Sequence, residues 1–69
     1  MKKSLIILAN GFEEIEAITV IDILRRAKIE VTTAGLTGTV IQGAHHMSLQ
    51  TETTIEAVLK EDFDAVILP

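Results

Sequence analysis

Several residue types that often reveal a protein's chemistry are missing from this 69-residue chain. The chain has no cysteine, which excludes a disulfide framework, a cysteine zinc site and a cysteine nucleophile within these residues. It has no basic run and a formal net charge of -4, which argues against nucleic acid as a partner. No apolar run approaches the roughly 20 residues that span a membrane. The apolar run after Lys2 and Lys3 is too short for a signal peptide, and acids follow it at once. We therefore expect a soluble, cytoplasmic protein.

Hydrophobic residues make up 48% of the chain, a composition typical of a globular protein and not of a disordered one. The length allows at most one small domain. A chain this short buries only roughly 60% of its unfolded surface, so it is marginally stable by itself.

The pattern of apolar residues predicts alternating strands and helices. In chain order we expect a strand over Ser4–Ala9, a helix over Glu13–Ala27, a strand over Ile29–Ala34, a hairpin of Val40–Ile41 with Met47–Leu49, a short helix from Thr53 or Thr54 to Lys60, and a strand over Phe63–Leu68. This order implies an α/β fold with parallel strands and right-handed crossovers.

The predicted elements are too few for a complete α/β domain. Two helices and about three main strands cannot cover both faces and both edges of a parallel sheet. Pro69 also follows directly on an apolar strand. We therefore expect residues 1–69 to be the opening part of a larger domain, either truncated or cleaved, or completed by a second chain.

Glu16 is the most informative single residue. On a helical wheel it lies on the same side as five apolar residues, Phe12, Val20, Ile23, Leu24 and Ala27. A carboxylate within such an apolar stripe is unfavourable unless it is protonated or partnered. Glu16 also follows the carboxyl end of the first strand, where open α/β sheets bind their ligands. It is therefore a functional-site candidate, the alternative being a solvated acid that interacts with the helix dipole.

The other charged residues of the predicted helix have simpler interpretations. Glu13 and Glu14 are interpreted as solvated charges at the helix start, and Arg25 and Arg26 as dipole partners at its end. The face opposite Glu16 carries two isoleucines beside two charged residues: Ile15, Ile18, Asp22 and Arg26. A self-complementary patch of this kind predicts a two-fold dimer interface.

Two further motifs resemble ligand sites in their residue types. His45 and His46 are adjacent, and adjacent residues of a strand point to opposite faces, so we interpret them as surface or hairpin histidines and predict no metal site. The Asn10–Gly11 turn before a helix could bind phosphate. It lacks the glycine fingerprint, however, and three acids follow it.

Four segments, in this order, resemble the ThiJ/PfpI family, the family of the Parkinson-disease-linked protein deglycase. They are Ile6–Ala17, Asp22–Ala27, Val31–Gly35 and Phe63–Pro69. The resemblance covers essentially the whole chain. It implies a flavodoxin-like three-layer α/β sandwich with a parallel sheet, usually assembled as a homodimer, of which this chain is the N-terminal part.

The resemblance also implies a chemistry that this chain does not contain by itself. The family's nucleophile is a cysteine located after the position of Pro69, and the acid that matches Glu16 hydrogen-bonds to it. Asn10, Gly11 and Glu13 would line the substrate pocket, and Arg26 would approach the partner subunit's site. The implied substrate is a small reactive carbonyl compound or a glycated adduct, as for a deglycase or glyoxalase, with no metal or organic cofactor. Two alternatives stay open: a redox-sensing or chaperone-like stress protein, and a peptidase- or amidotransferase-like hydrolase.

Overall fold

The computed structural model of the protein describes residues 2–69. Its elements, in chain order, are β1 (Lys3–Leu8), α1 (Glu14–Arg26), β2 (Glu30–Gly35), β3 (Val40–Gln42), β4 (Ser48–Gln50), β5 (Thr53–Thr54), a one-turn 3-10 helix (Glu56–Val58) and β6 (Ala65–Ile67). The predicted order of strand, helix, strand, hairpin and strand is confirmed, with most boundaries within two residues of those expected.

A four-stranded parallel sheet in the order β5-β2-β1-β6 forms the centre of the fold. Strand β1 pairs along its whole length with β2, from Lys3 opposite Glu30 to Leu8 opposite Gly35. Strands β3 and β4 form a separate antiparallel pair, which we call the hairpin. The carboxyl ends of β1, β2 and β6 therefore lie at one edge of the sheet, where ligands of open α/β sheets bind.

Side chains of β1 alternate between the two faces of the sheet and supply both halves of the core. Ile6 and Leu8 pack on one face with Phe12, which precedes the helix, Ala17 of the helix and Ile41 of the hairpin. Leu5 packs on the other face with Ala34 and Val58. Because both faces of β1 are covered, its sequence is a continuous apolar run and not an alternating one.

Helix α1 ends without the glycine that usually stops a helix. Lys28 adopts a positive φ of 66°. The N–H of Ile29 donates to the carbonyl of Leu24, and that of Lys28 donates to the carbonyl of Arg25. These two bonds form a Schellman motif, in which a left-handed residue satisfies the last carbonyls.

The predicted second helix, from Thr53 or Thr54 to Lys60, is wrong. Thr53 and Thr54 instead extend the parallel sheet, opposite Ala34 and Gly35 of β2. Only one 3-10 turn follows, over Glu56–Val58. These two β-branched threonines thus pair with the edge of β2, although the sequence pattern predicted that they start a helix.

No helix within residues 2–69 is long and apolar enough to cross a membrane.

Candidate functional site

The turn after β1 carries the predicted pocket residues Asn10 and Gly11. Gly11 has a φ of +93°, a conformation that favours glycine. Its N–H donates to the carbonyl of Gln42 at 2.8 Å, and the Asn10 Oδ1 accepts from the Gln42 N–H at 3.0 Å. Both residues also line an open cavity of about 430 Å³, together with Leu68 and Pro69. The structure therefore places Asn10 and Gly11 in a cavity at the carboxyl edge of the sheet and ties them to the hairpin.

Glu14, and not Glu16, is the buried acid of the helix start. Its side chain is only 7% exposed. One carboxylate oxygen, Oε2, accepts from the backbone N–H of His45 at 2.8 Å and from that of Met47 at 3.4 Å. The other, Oε1, lies 3.0 Å from the Nδ1 of the His45 ring. The prediction that Glu14 is a solvated charge is therefore wrong.

Gly43 makes this close approach possible. A Cβ atom built on Gly43 would lie 2.3 Å from the Glu14 Oε2. Any other residue at this position would push the carboxylate away from the tip of the hairpin, so the glycine is a steric requirement of the contact.

The pKa of Glu14 is lowered to about 2. Burial raises the pKa of this carboxyl, but hydrogen bonds from the His45 ring, from its own N–H and from the N–H groups of His45 and Met47 outweigh it. The pKa of His45 is raised, first by its hydrogen bond to Glu14 and then by the charges of Glu14 and Glu13. Each partner thus stabilises the charged form of the other.

Glu13 completes a cluster of three groups that could in principle ligate a metal ion. One ligand atom each from Glu13, Glu14 and His45 lies within 4.8 Å of the others. Both oxygens of Glu14 already accept N–H groups of the hairpin, however. The contacts therefore describe a hydrogen-bonded cluster, with Glu13 as an exposed charge beside it.

Glu16 lies on the exposed side of α1, which corrects the prediction that it is part of the buried stripe. The helix faces the core with Ala17, which is fully buried, and with Ile21 and Leu24, whereas Ile23 is 57% exposed. The apolar side of α1 is thus rotated about the helix axis by about one residue position relative to the predicted side. Glu16 instead lines an open cavity of about 500 Å³ with Leu68 and Pro69. It is therefore beside the carboxyl end of β6.

The predicted dimer residues lie together on the outer side of α1. Ile15 is 80% exposed and Ile18 is 47% exposed. Asp22 and Arg26 form an exposed ion pair, with the Arg26 Nε 3.1 Å from both carboxylate oxygens. Arg25 instead reaches away from this face to Glu52, at 2.8 Å.

Comparison with known proteins identifies the family. The family model described as "DJ-1/PfpI family" matches residues 2–69. The chain belongs to the DJ-1/PfpI family. It is 42% identical to Protein dj-1beta of Drosophila melanogaster over 69 residues, 99% of this chain and 37% of that protein. The crystal structure of that protein superposes with a TM-score of 0.96.

Two other relatives extend the comparison within the family. A DJ-1 superfamily protein of Salmonella typhimurium, solved as a cysteine-to-alanine mutant, has a TM-score of 0.96 and 40% identity, covering 100% of this chain and 38% of its own. Deglycase PfpI of Pyrococcus furiosus is 36% identical over 67 residues, 97% of this chain and 40% of that protein. The chain thus spans less than half the length of these relatives. The predicted family and the α/β, flavodoxin-like fold class are confirmed.

Sequence reasoning missed the contact between Glu14 and His45, although one signal was available. Ala17, Ile21 and Leu24 follow Glu14 at helical spacing, so a stripe centred on Ala17 would have included Glu14. No local signal could reveal His45 as the partner, because it is 31 residues away in sequence.

Proposed function

We propose that this chain is the N-terminal part of a cysteine-dependent protein that acts on reactive carbonyl compounds or glycated adducts. Membership of the DJ-1/PfpI family and the likeness to Deglycase PfpI support this proposal. The Salmonella relative was solved with a cysteine replaced by alanine, which agrees with a functional cysteine. The chain itself has none, so the proposal requires a cysteine supplied by residues after Pro69.

The placement of Glu16 is the observation on which the mechanism depends. Glu16 shares a cavity with Leu68 and Pro69. A segment continuing from Pro69 therefore begins next to its carboxyl group, at the carboxyl edge of the parallel sheet. We propose that this segment covers Glu16 and brings the cysteine within hydrogen-bond distance of it.

A carboxyl group in that position would prepare the thiol for reaction. A carboxyl that keeps its proton donates a hydrogen bond to a thiolate and so stabilises it. This lowers the pKa of the cysteine and keeps the nucleophile charged at neutral pH. The thiolate sulfur then bonds to the carbonyl carbon, the C=O π pair moves onto the oxygen, and the oxygen takes up a proton from water. Asn10, Gly11 and Glu13 would line the pocket that receives the carbonyl compound.

The test compares Glu16→Leu and Glu16→Gln in the complete gene product. We expect Glu16→Leu to raise the pKa of the cysteine and to slow thiol alkylation at neutral pH, by about tenfold for each unit by which that pKa comes to exceed the pH of the measurement. Glu16→Gln keeps the shape and a hydrogen-bond donor, so its effect should be smaller. Glu56→Gln, which changes another exposed acid, is the matched control. An unchanged thiol titration in the leucine variant would mean that Glu16 is only a charge at the helix start.

Turnover of methylglyoxal decides between this function and its alternatives. We expect the complete protein to consume methylglyoxal and its Glu16→Leu variant to be impaired. A thiol that is readily oxidised without turnover would favour a redox-sensing protein. Hydrolysis of peptide or amide substrates would favour the peptidase- or amidotransferase-like alternative.

A further inference from the structure

The pocket turn and the hairpin are joined by a continuous set of backbone contacts. Gly11 and Asn10 bond to Gln42, as described above. Further along, one residue after Gly11 and two residues after Gln42, the N–H of Ala44 donates to the carbonyl of Phe12 at 2.8 Å. Phe12 and Gly43 also form a parallel β-bridge. The position of Asn10 and Gly11 therefore depends on where the hairpin lies.

The Glu14–His45 contact holds the tip of the same hairpin against the start of helix α1. Glu14 comes three residues after Gly11 and is the first residue of helix α1. Its carboxylate accepts both the backbone N–H and the ring of His45. We call this pair the clamp. Its acid is almost fully buried whereas its imidazole is 74% exposed, so the imidazole can exchange protons with solvent.

We propose that Glu14 and His45 are positioning residues, and that protonation of the His45 ring tightens the hold of the hairpin on the Asn10–Gly11 turn. That this turn belongs to a substrate pocket rests on the proposed function. The clamp itself rests only on the contacts above.

The charges around His45 explain why protonation matters. Two carboxylates lie beside the ring, that of Glu13, which precedes helix α1, and that of Glu14, which begins it. From the hairpin, His46 faces Gln42, with its Nδ1 3.4 Å from the amide nitrogen. A protonated His45 ring offsets the two neighbouring acids and makes a charge-assisted hydrogen bond to Glu14, which is stronger than a neutral one. Loss of the proton leaves the two carboxylates facing each other without a cation between them.

The direction of the pH effect follows from the raised pKa of His45. The extra stabilisation is fully present below the ordinary value of 6.5 and is lost as the pH rises through the higher value in the folded protein. We therefore expect the turn and the hairpin to separate more often in mildly alkaline than in mildly acidic solution.

Nuclear magnetic resonance of the complete gene product tests the clamp without any activity measurement. Titration of the ring C–H signals gives the pKa of His45, and amide exchange gives the protection factors of Gly11 and Ala44, normalised at each pH to the intrinsic rates. We expect His45 to titrate above 6.5 and the two protection factors to fall by about twofold to fivefold as it deprotonates.

Three variants distinguish an effect of the clamp from a change in the stability of the whole protein. His45→Arg keeps a positive charge at every pH, so the protection factors should lose their pH dependence. Glu14→Gln should return the pKa of His45 towards 6.5. His46→Gln, the matched control, should retain the wild-type behaviour. If Glu14→Gln does not fold, the arginine and control variants still decide the question.

Two results would overturn the proposal: a His45 pKa at its ordinary value, or the same pH dependence of protection in the wild type and in His45→Arg. Neither depends on turnover of a carbonyl compound. The clamp and the proposed function are therefore tested independently. Absence of turnover would not contradict the clamp, and absence of the clamp would not contradict the proposed function.

Discussion

At the scale of single residues, Glu14 makes the fold sensitive to acid. Its pKa is about 2 in the folded protein against an ordinary value of 4.5. A group whose pKa is lower in the folded state contributes stability above its unfolded pKa and loses that contribution as the pH falls through the folded value. We therefore expect Glu14→Gln to reduce stability most near pH 5 to 6, where the partner His45 is also protonated, and least near pH 2.

Chemical denaturation of the wild type and of Glu14→Gln across this pH range measures the effect. Glu56→Gln, which alters an exposed acid, supplies the baseline. A destabilisation that is as large at pH 2 as at pH 6 would show that the charge of Glu14 is not the cause.

Gly43 provides a second test at this scale. Gly43→Ala places a methyl group where the Glu14 carboxylate now lies. We expect a loss of about 1–3 kcal/mol, the usual range for overpacking, together with a fall in the pKa of His45. In the double variant Glu14→Ala/Gly43→Ala the two losses should not add, because the clash is gone. Additive losses would mean that Gly43→Ala destabilises the protein for a reason other than a clash with Glu14.

The family could be predicted from the sequence, but which of the three acids at the start of α1 is buried could not. Glu13, Glu14 and Glu16 occupy one helical turn, and only the packing of the helix decides which of them is buried. The prediction gave most weight to the large side chains of Val20 and Ile23. The helix instead approaches the sheet through Ala17, whose small side chain carries little weight in a hydrophobic pattern. Which side of a helix packs on the sheet is thus a tertiary property.

At the scale of elements, strands with a continuous apolar or β-branched sequence could be predicted, and the strand at the sheet edge could not. Continuous apolar runs marked β1 and β6, and β-branched residues marked β2. Thr53 and Thr54 form β5 because β2 offers them a free edge, and a local pattern contains no information about that edge. The antiparallel hairpin was predicted from its glycine-containing turn, but its contact with the helix start was not.

The end of α1 offers a stabilising substitution. Lys28 holds a left-handed conformation, which costs a residue with a Cβ roughly 1–2 kcal/mol. Lys28→Gly should raise the free energy of unfolding by about 0.5–1 kcal/mol, since the greater chain entropy of glycine in the unfolded state offsets part of the gain. Lys28→Ala removes the charge and keeps the strain, so it should not stabilise the protein. Thermal denaturation of the complete gene product measures both variants, and equal melting temperatures for them would contradict this account.

The outer face of α1 leads to a prediction about assembly. Ile15 and Ile18 are exposed beside the Asp22–Arg26 ion pair, and we propose that this face forms a two-fold interface. Ile18→Glu would bury unpaired charges there and weaken the dimer by several kcal/mol. Analytical ultracentrifugation of the complete gene product measures the dimer affinity, with Thr37→Glu in the exposed loop after β2 as a control. Equal affinities for the wild type and Ile18→Glu would exclude this face.

At the scale of the whole molecule, large apolar side chains exposed on α1, after the 3-10 helix and in or just after β6 indicate that this part of the fold needs further packing. Ile23 is 57% exposed, Leu59 70%, Val66 56% and Leu68 74%. Folding must offset a chain entropy of roughly 1–2 kcal/mol per residue, and a core open on these sides returns too little. We therefore expect the isolated 69-residue peptide to show no cooperative unfolding transition by circular dichroism, whereas the complete gene product should unfold cooperatively. A monomeric peptide that melts cooperatively above about 45 °C, as ordinary mesophilic domains do, would show that these surfaces do not need a cover. The proposal that residues after Pro69 pack against Glu16 would then lose its thermodynamic reason.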